Sequence, residues 1–257
     1  MTKRFAPKKS YFDIVHVDSK TLKAPLKNQQ LLILDLNGTL VSRVRKRSMY
    51  VRPYSNKFFN YIFDNFEIMI WSSAQPDSVH NMCRMFPKEK KEKISLIWDR
   101  KSFGLSTRDY HQKVLTIKDL DKVWEQFGGR YDATNTILLD DSPKKTQLQP
   151  YNSIHPKEFD HNSKGFILNG DSELLQILDY LKVLQFQSNV ANYIKNQPYK
   201  KREENRTEEE EESHLVEFYA FSDDYEKPEN RLRQQKKKGE PETITVITDK
   251  MSNLAVC

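Results

Sequence analysis

The segment "LLILDLNGTL", residues 31–40, runs an unbroken apolar stretch directly into Asp35, Asn37, Gly38 and Thr39. An apolar run without polar alternation fits a parallel strand covered on both faces, so the stretch predicts a buried strand ending in a carboxylate. "NG" after an apolar run is also the strongest short hairpin signal. The run before it does not alternate, however, and "SRVRKRS" beyond it is a poor partner strand. A carboxylate at a buried strand end suits phosphoryl chemistry. Two residues on, where a second carboxylate would complete that reading, stands the amide of Asn37.

Outward from this strand the chain alternates strands and helices. "SNKFFNYIFDNF" places Phe58, Phe59, Ile62 and Phe63 at helical spacing, with Ser55 as N-cap. "EIMIWSS" reads as a second buried strand, "PDSVHNMCRMF" as a helix with Pro76 in its first turn, and "ISLIW" as a third strand. "KDLDKVWEQF" is a short helix closed by Gly128 and Gly129, and "NTILLDDSP" a fourth strand stopped by proline. "GFILN" reads as a fifth strand, and "DSELLQILDYLKVLQ" as an amphipathic helix capped by Asp171 or Ser172. Such alternation predicts an α/β fold: a Rossmann-like, mostly parallel sheet with helices on both faces.

Composition sets the limits. The 257 residues are 30% charged, with a mean hydropathy of −0.79, too polar for packed core throughout. Residues 1–29 read as a basic extension with strand-like "YFDIVHV", 30–187 as the domain, and 188–257 as a charged, largely disordered tail. Net charge is +6 but uneven: residues 1–30 hold seven Lys/Arg against two Asp, and residues 198–257 eleven against fifteen Asp/Glu. The remainder, 24 basic and 19 acidic, is mildly positive, which suits an anionic substrate and falls short of a nucleic-acid footprint. The charged tail is a candidate contact for a protein partner. No stretch approaches the roughly 18 apolar residues of a membrane span. Two cysteines, Cys83 and Cys257, make no disulfide framework and fit a reducing compartment. The expected setting is intracellular, nucleus or cytoplasm. A mitochondrial presequence stays open, with Asp13 and Asp18 counting against it.

The polar strand ends carry the chemistry. Asp35 ends strand one, Ser72 and Ser73 end strand two, Lys118 opens the helix after strand three, and Asp140 and Asp141 end strand four. A parallel sheet gathers such residues in one crevice at the carboxyl edge of its strands. A carboxylate can attack phosphorus, provided that a metal ion held by oxygens offsets the repulsion. A lysine stabilises charge on the transferring group and a hydroxyl orients it.

These four stations, in this order, resemble the motifs of the haloacid-dehalogenase superfamily of aspartate-nucleophile phosphotransferases. "VRPYSNKFF", "IMIWSSA", "IKDLDKVW" and "ILLDDSP" further resemble the domain of the NLI-interacting-factor-like phosphatases, a group that includes phosphatases of the RNA polymerase II C-terminal domain. The resemblance implies Asp35 as nucleophile, Ser72 as motif-two hydroxyl and Lys118 as phosphate-stabilising lysine. It implies Mg²⁺ held by Asp35, Asp140, Asp141 and the backbone carbonyl at position 37. It breaks at Asn37, where the family places an aspartate that acts as general acid and then base.

No gap between motifs is long enough for a large cap domain, and a loop of roughly twenty residues between motifs is the length usually found functional. An uncapped crevice fits phosphoserine or phosphothreonine on a protein segment. Thr39, Ser73, Arg52 and Arg100, with Lys144 and Lys145, are candidates to frame its approach. Two readings stand: a weak Mg²⁺-dependent protein phosphatase impaired by Asn37, or a catalytically inactive phosphatase-like binding or scaffold module.

Overall fold

A computed structural model describes residues 6–44, 48–200, 215–221 and 244–246. In chain order, α1 (Lys9–Val15) precedes β1 (Leu31–Leu34), the pair β2 (Val41–Val44) and β3 (Ser48–Val51), α2 (Ser55–Asn65) and β4 (Glu67–Trp71). Then follow α3 (Pro76–Met82), α4 (Lys88–Lys91), β5 (Ile94–Trp98), α5 (Thr107–Tyr110), α6 (Leu120–Gln126) and β6 (Thr136–Leu139). The chain continues through β7 (Ser153–Ile154), α7 (Lys164–Asn169), α8 (Glu173–Leu184), α9 (Val190–Asn196), β8 (Val216–Ala220) and β9 (Ile244–Val246).

The central sheet has the order β5-β4-β1-β6-β7, and every pairing in it is parallel. The unbroken apolar run of β1 has its reason here, because consecutive side chains leave opposite faces. Leu32 and Leu34 pack into a core with Phe58 and Ile62 of α2 and with Leu174 and Leu181 of α8. Leu31 and Ile33 pack on the other side, with Trp71, Leu120 and Val123. Both faces are therefore dry, and an alternating sequence would have failed on one of them. The sheet is the α/β arrangement that the sequence implies.

"DLNGTL" is not a hairpin turn. It folds back in a tight loop, with the Gly38 N–H donating to Val41 O at 2.8 Å and the Leu40 N–H to Leu36 O at 2.8 Å. The segment after it, which looked like a poor strand, does form one. Val41–Val44 pairs antiparallel with Ser48–Val51 in a second small sheet of order β2-β3-β8-β9. Two further expectations change. "YFDIVHV" lies in α1, because Tyr11 and Val15, four apart, are buried together against Ala133 and Ala191. "GFILN" lies in α7, capped by the Ser163 hydroxyl, which accepts the Phe166 N–H at 3.2 Å, and anchored by Phe166 alone while Ile167 and Leu168 stay exposed.

The packed body also extends beyond residues 30 and 187. α1 lies on α9, and the Asn192 side chain donates to Val15 O at 2.9 Å. Segment 215–221 adds β8 to β3 in antiparallel register. The charge block and the basic "RLRQQKKK", expected to be disordered, lie outside the described residues. Among the described residues no helix is long and apolar enough to cross a membrane.

Candidate active site

The end of β1 puts Asp35 at the carboxyl edge of the central strand, and its N–H donates to Leu139 O of β6 at 2.9 Å. β6 runs alongside and ends in Asp140 and Asp141, so two adjacent parallel strands bring three carboxylates to one point. Their oxygens lie within 4.8 Å of one another. Asp35 is 2% exposed, and Asp140 and Lys118 are fully buried.

Lys118 arrives in the segment before α6. Its Nζ stands 3.1 Å from Asp35 Oδ1 and 2.5 Å from Asp140 Oδ2. A second ammonium, Lys145, lies on the same groups, 3.1 Å from Asp35 Oδ2 and 3.1 Å from Asp140 Oδ1. Burying charge is tolerated only in such pairs. Burial works to raise the Asp140 carboxyl, but Lys118 and Lys145 outweigh it and hold Asp140 below the usual carboxylate range. Asp141 goes the other way: burial and its acidic neighbours raise it despite Lys145.

The neighbours of these groups fix their positions. The Thr39 hydroxyl donates to Asp141 Oδ1 at 3.0 Å and accepts the Asp141 N–H at 3.1 Å. Gly38 is at φ +87°, a conformation that favours glycine, and a Cβ there would stand 3.2 Å from the Asp141 carboxylate, a tight approach. His155 donates through Nδ1 to the Asp140 carbonyl at 2.7 Å, and burial lowers its imidazole pKa. Nothing in the sequence marked His155 for this task. Ser72 is buried at the end of β4, where its Oγ accepts the Ala74 N–H at 3.3 Å.

Four of the six residues expected to frame the approach are instead engaged inside the fold. Thr39 holds Asp141, and the Ser73 hydroxyl shares a 2.7 Å hydrogen bond with the Thr116 hydroxyl. Arg100 donates to the carbonyls of Ser73, Asp109, Tyr110 and Gln112, pinning the loop after β5 to the end of β4. Arg52 is buried and forked onto Asp171 at 3.0 and 2.9 Å, with further bonds to the carbonyls of Thr39 and Lys157, both at 2.9 Å. It thereby ties the loop that carries Asp35 to the start of α8. Arg52→Met should cost about 3–5 kcal/mol of unfolding free energy, because it strands Asp171 without its partner. Urea unfolding reads the loss, and a change under about 1 kcal/mol, the size of an exposed ion pair, would refute this placement. Among the proposed groups, Asn37 and Lys144 are exposed.

Asp35, Asp140 and Asp141 offer the hard oxygen donors that Mg²⁺ takes, and the cluster fits such an ion. The residues that sequence reasoning placed at the centre are brought together, except that Ser72 makes no direct contact with Asp35. Lys145, read only as a framing group, belongs to the centre as well.

The family model described as "NLI interacting factor-like phosphatase" matches residues 30–207. An "Uncharacterized FCP1 homology domain-containing protein" of Schizosaccharomyces pombe is 36% identical over 194 residues, covering 67% of this chain and 78% of that one. "Ubiquitin-like domain-containing CTD phosphatase 1" of Drosophila melanogaster is 25% identical over 169 residues, 63% of this chain and 51% of that one. The chain thus spans only about half the length of such CTD phosphatase relatives. A solved structure of fission yeast RNA polymerase II CTD phosphatase Fcp1 bound to beryllium fluoride gives a TM-score of 0.39 at 14% identity, covering 60% of this chain and 50% of that one. That likeness is too slight to bear on the site. The match over 30–207, together with the fission yeast relative, shows that the chain belongs to the NLI interacting factor-like phosphatase family.

Proposed function

We propose that the crevice is a Mg²⁺-dependent phosphoryl-transfer site acting on phosphoserine or phosphothreonine in a protein segment. The observation that carries this reading is the buried Asp35–Lys118–Asp140 constellation beside Asp141. Asp35 Oδ forms a bond to phosphorus as the bond from phosphorus to the substrate oxygen breaks. Lys118 stabilises charge on the group in transit. Water then attacks phosphorus, the Asp35 acyl phosphate is cleaved and inorganic phosphate leaves. A bound Mg²⁺, held by Asp35, Asp140 and Asp141, would supply neutralisation of the two anions that must meet.

The proton steps are the weak point. The departing serine or threonine oxygen needs a proton, and the incoming water must lose one. The amide of Asn37 can do neither near neutral pH. A poor leaving group should therefore suffer most.

The described residues include no large cap domain, which supports a polypeptide substrate, as do the relatives named CTD phosphatases. A nuclear or cytoplasmic setting is part of the proposal, supported by the buried free thiol of Cys83. The second reading, a binding or scaffold module, is favoured by Asn37 itself.

Steady-state hydrolysis separates the two. The wild-type chain with Mg²⁺ should release phosphate slowly from an aryl phosphate and more slowly still from a phosphoserine peptide, and chelation should stop both. Absence of turnover, together with absence of Mg²⁺ binding by calorimetry, would leave only the binding module.

A further inference from the structure

Lys145 has no part in the transfer as written, yet it lies among the acidic groups. Its ammonium is 3.1 Å from Asp35 Oδ2, 3.1 Å from Asp140 Oδ1 and 4.0 Å from Asp141 Oδ1, and so reaches all three carboxylates of the candidate metal cluster. The backbone delivers it there. Pro143 opens a single 3-10 turn, Pro143–Lys145, in which the Lys145 N–H donates to Ser142 O at 3.0 Å. The Lys145 carbonyl then accepts the Lys118 N–H at 2.8 Å, which locks the two lysine segments together. The Thr146 hydroxyl closes the same turn on the Pro143 carbonyl at 3.3 Å.

The two lysines occupy different sides. The Lys118 side chain is fully buried, whereas 18% of the Lys145 side chain reaches solvent. Lys118 therefore has no path away from the carboxylates, and Lys145 has one. Three carboxylates facing two ammonium groups leave a net negative charge, which still attracts a cation. A divalent ion drawing on the same oxygens cannot share them with an ammonium at 3.1 Å.

We propose that Lys145 is an internal counterion of the metal site: its ammonium takes the place of a divalent cation among Asp35, Asp140 and Asp141, and the cation binds by displacing it towards solvent. The inference rests on the metal reading of the cluster proposed above. Its consequence is a site guarded against low metal concentrations. A lysine-in state favoured ten to one lowers apparent metal affinity about tenfold, and one favoured a hundred to one about a hundredfold.

Two measurements on the full chain test it. Calorimetric titration with Mg²⁺, and with Mn²⁺ as a second probe, should show at least about tenfold tighter binding by Lys145→Met than by wild type. Lys145→Arg, which keeps the charge, should stay near wild type. Equal or weaker binding by Lys145→Met overturns the proposal. The second measurement needs no substitution: amine acylation of the wild-type chain, read by mass spectrometry of the peptide holding Lys145. Saturating Mg²⁺ should raise labelling of Lys145 several-fold while buried Lys118 stays protected. Labelling unchanged by saturating metal overturns the proposal, whatever the folding of the variant. Tighter metal binding by Lys145→Met without any phosphate release upholds the counterion and counts against the phosphatase reading instead.

Discussion

Asn37→Asp is expected to raise Mg²⁺-dependent hydrolysis of a phosphoserine peptide by about 10²–10⁴-fold, the range that general acid–base help contributes. The position is exposed, so a carboxylate there incurs little desolvation. The loop that presents it is set by backbone bonds from Gly38 to Val41 and from Leu40 to Leu36, none of which uses the side chain. The substitution restores a proton donor and acceptor without asking the fold to change. The gain should be smaller for an aryl phosphate, whose leaving group needs less protonation. A gain equal for both substrates would show that the amide limits something other than the leaving group. No gain for either would mean that the remaining groups are not competent.

Asp35→Asn should do the opposite, lowering turnover by about 10⁴-fold or more, as loss of a nucleophile does in enzymes whose residues act as a unit. The amide keeps the shape but removes the negative charge that both Lys118 and Lys145 face. It also removes one of the three carboxylates from the metal cluster, so Mg²⁺ affinity should fall in step. Retained turnover would move the nucleophile elsewhere. Because the change leaves two ammonium groups, one of them fully buried, against Asp140, thermal melting belongs beside the kinetics, and a folded but inactive variant is the expected result.

The sequence displays the sheet more fully than the site. Leu31–Leu34 and Ile137–Leu139 declare themselves because a parallel strand buried on both faces favours an unbroken apolar run, and each run stops where a carboxylate reaches the edge. Asp35, Asp140 and Asp141 were legible for the same reason, because strand ends place them without any knowledge of contacts, and Lys118 was legible as the residue opening the helix after the third strand. Arg52 and Arg100 were not, because burial of an arginine depends on distant carbonyls and on Asp171, which no local pattern links to them. Lys145 escaped a central role because one 3-10 turn, rather than a strand, carries it back over Asp140. "GFILN" failed because four apolar or small residues in a row fit a strand as well as a helix, and Ser163 as cap decided the matter.

In the proposed reaction Asp35 takes the phosphoryl group, and Asn37 leaves the second half without its base. An aryl phosphate bypasses the need for leaving-group protonation, so the first half should proceed and the acyl phosphate should accumulate. Acid quenching of the wild-type chain after brief incubation with an aryl phosphate and Mg²⁺, followed by mass spectrometry, tests this directly. The account predicts a phosphoryl group on the peptide containing Asp35, lost on mild alkaline treatment and diminished in Asn37→Asp as hydrolysis catches up. A phosphoryl group on another residue, or none while phosphate is being released, would contradict it.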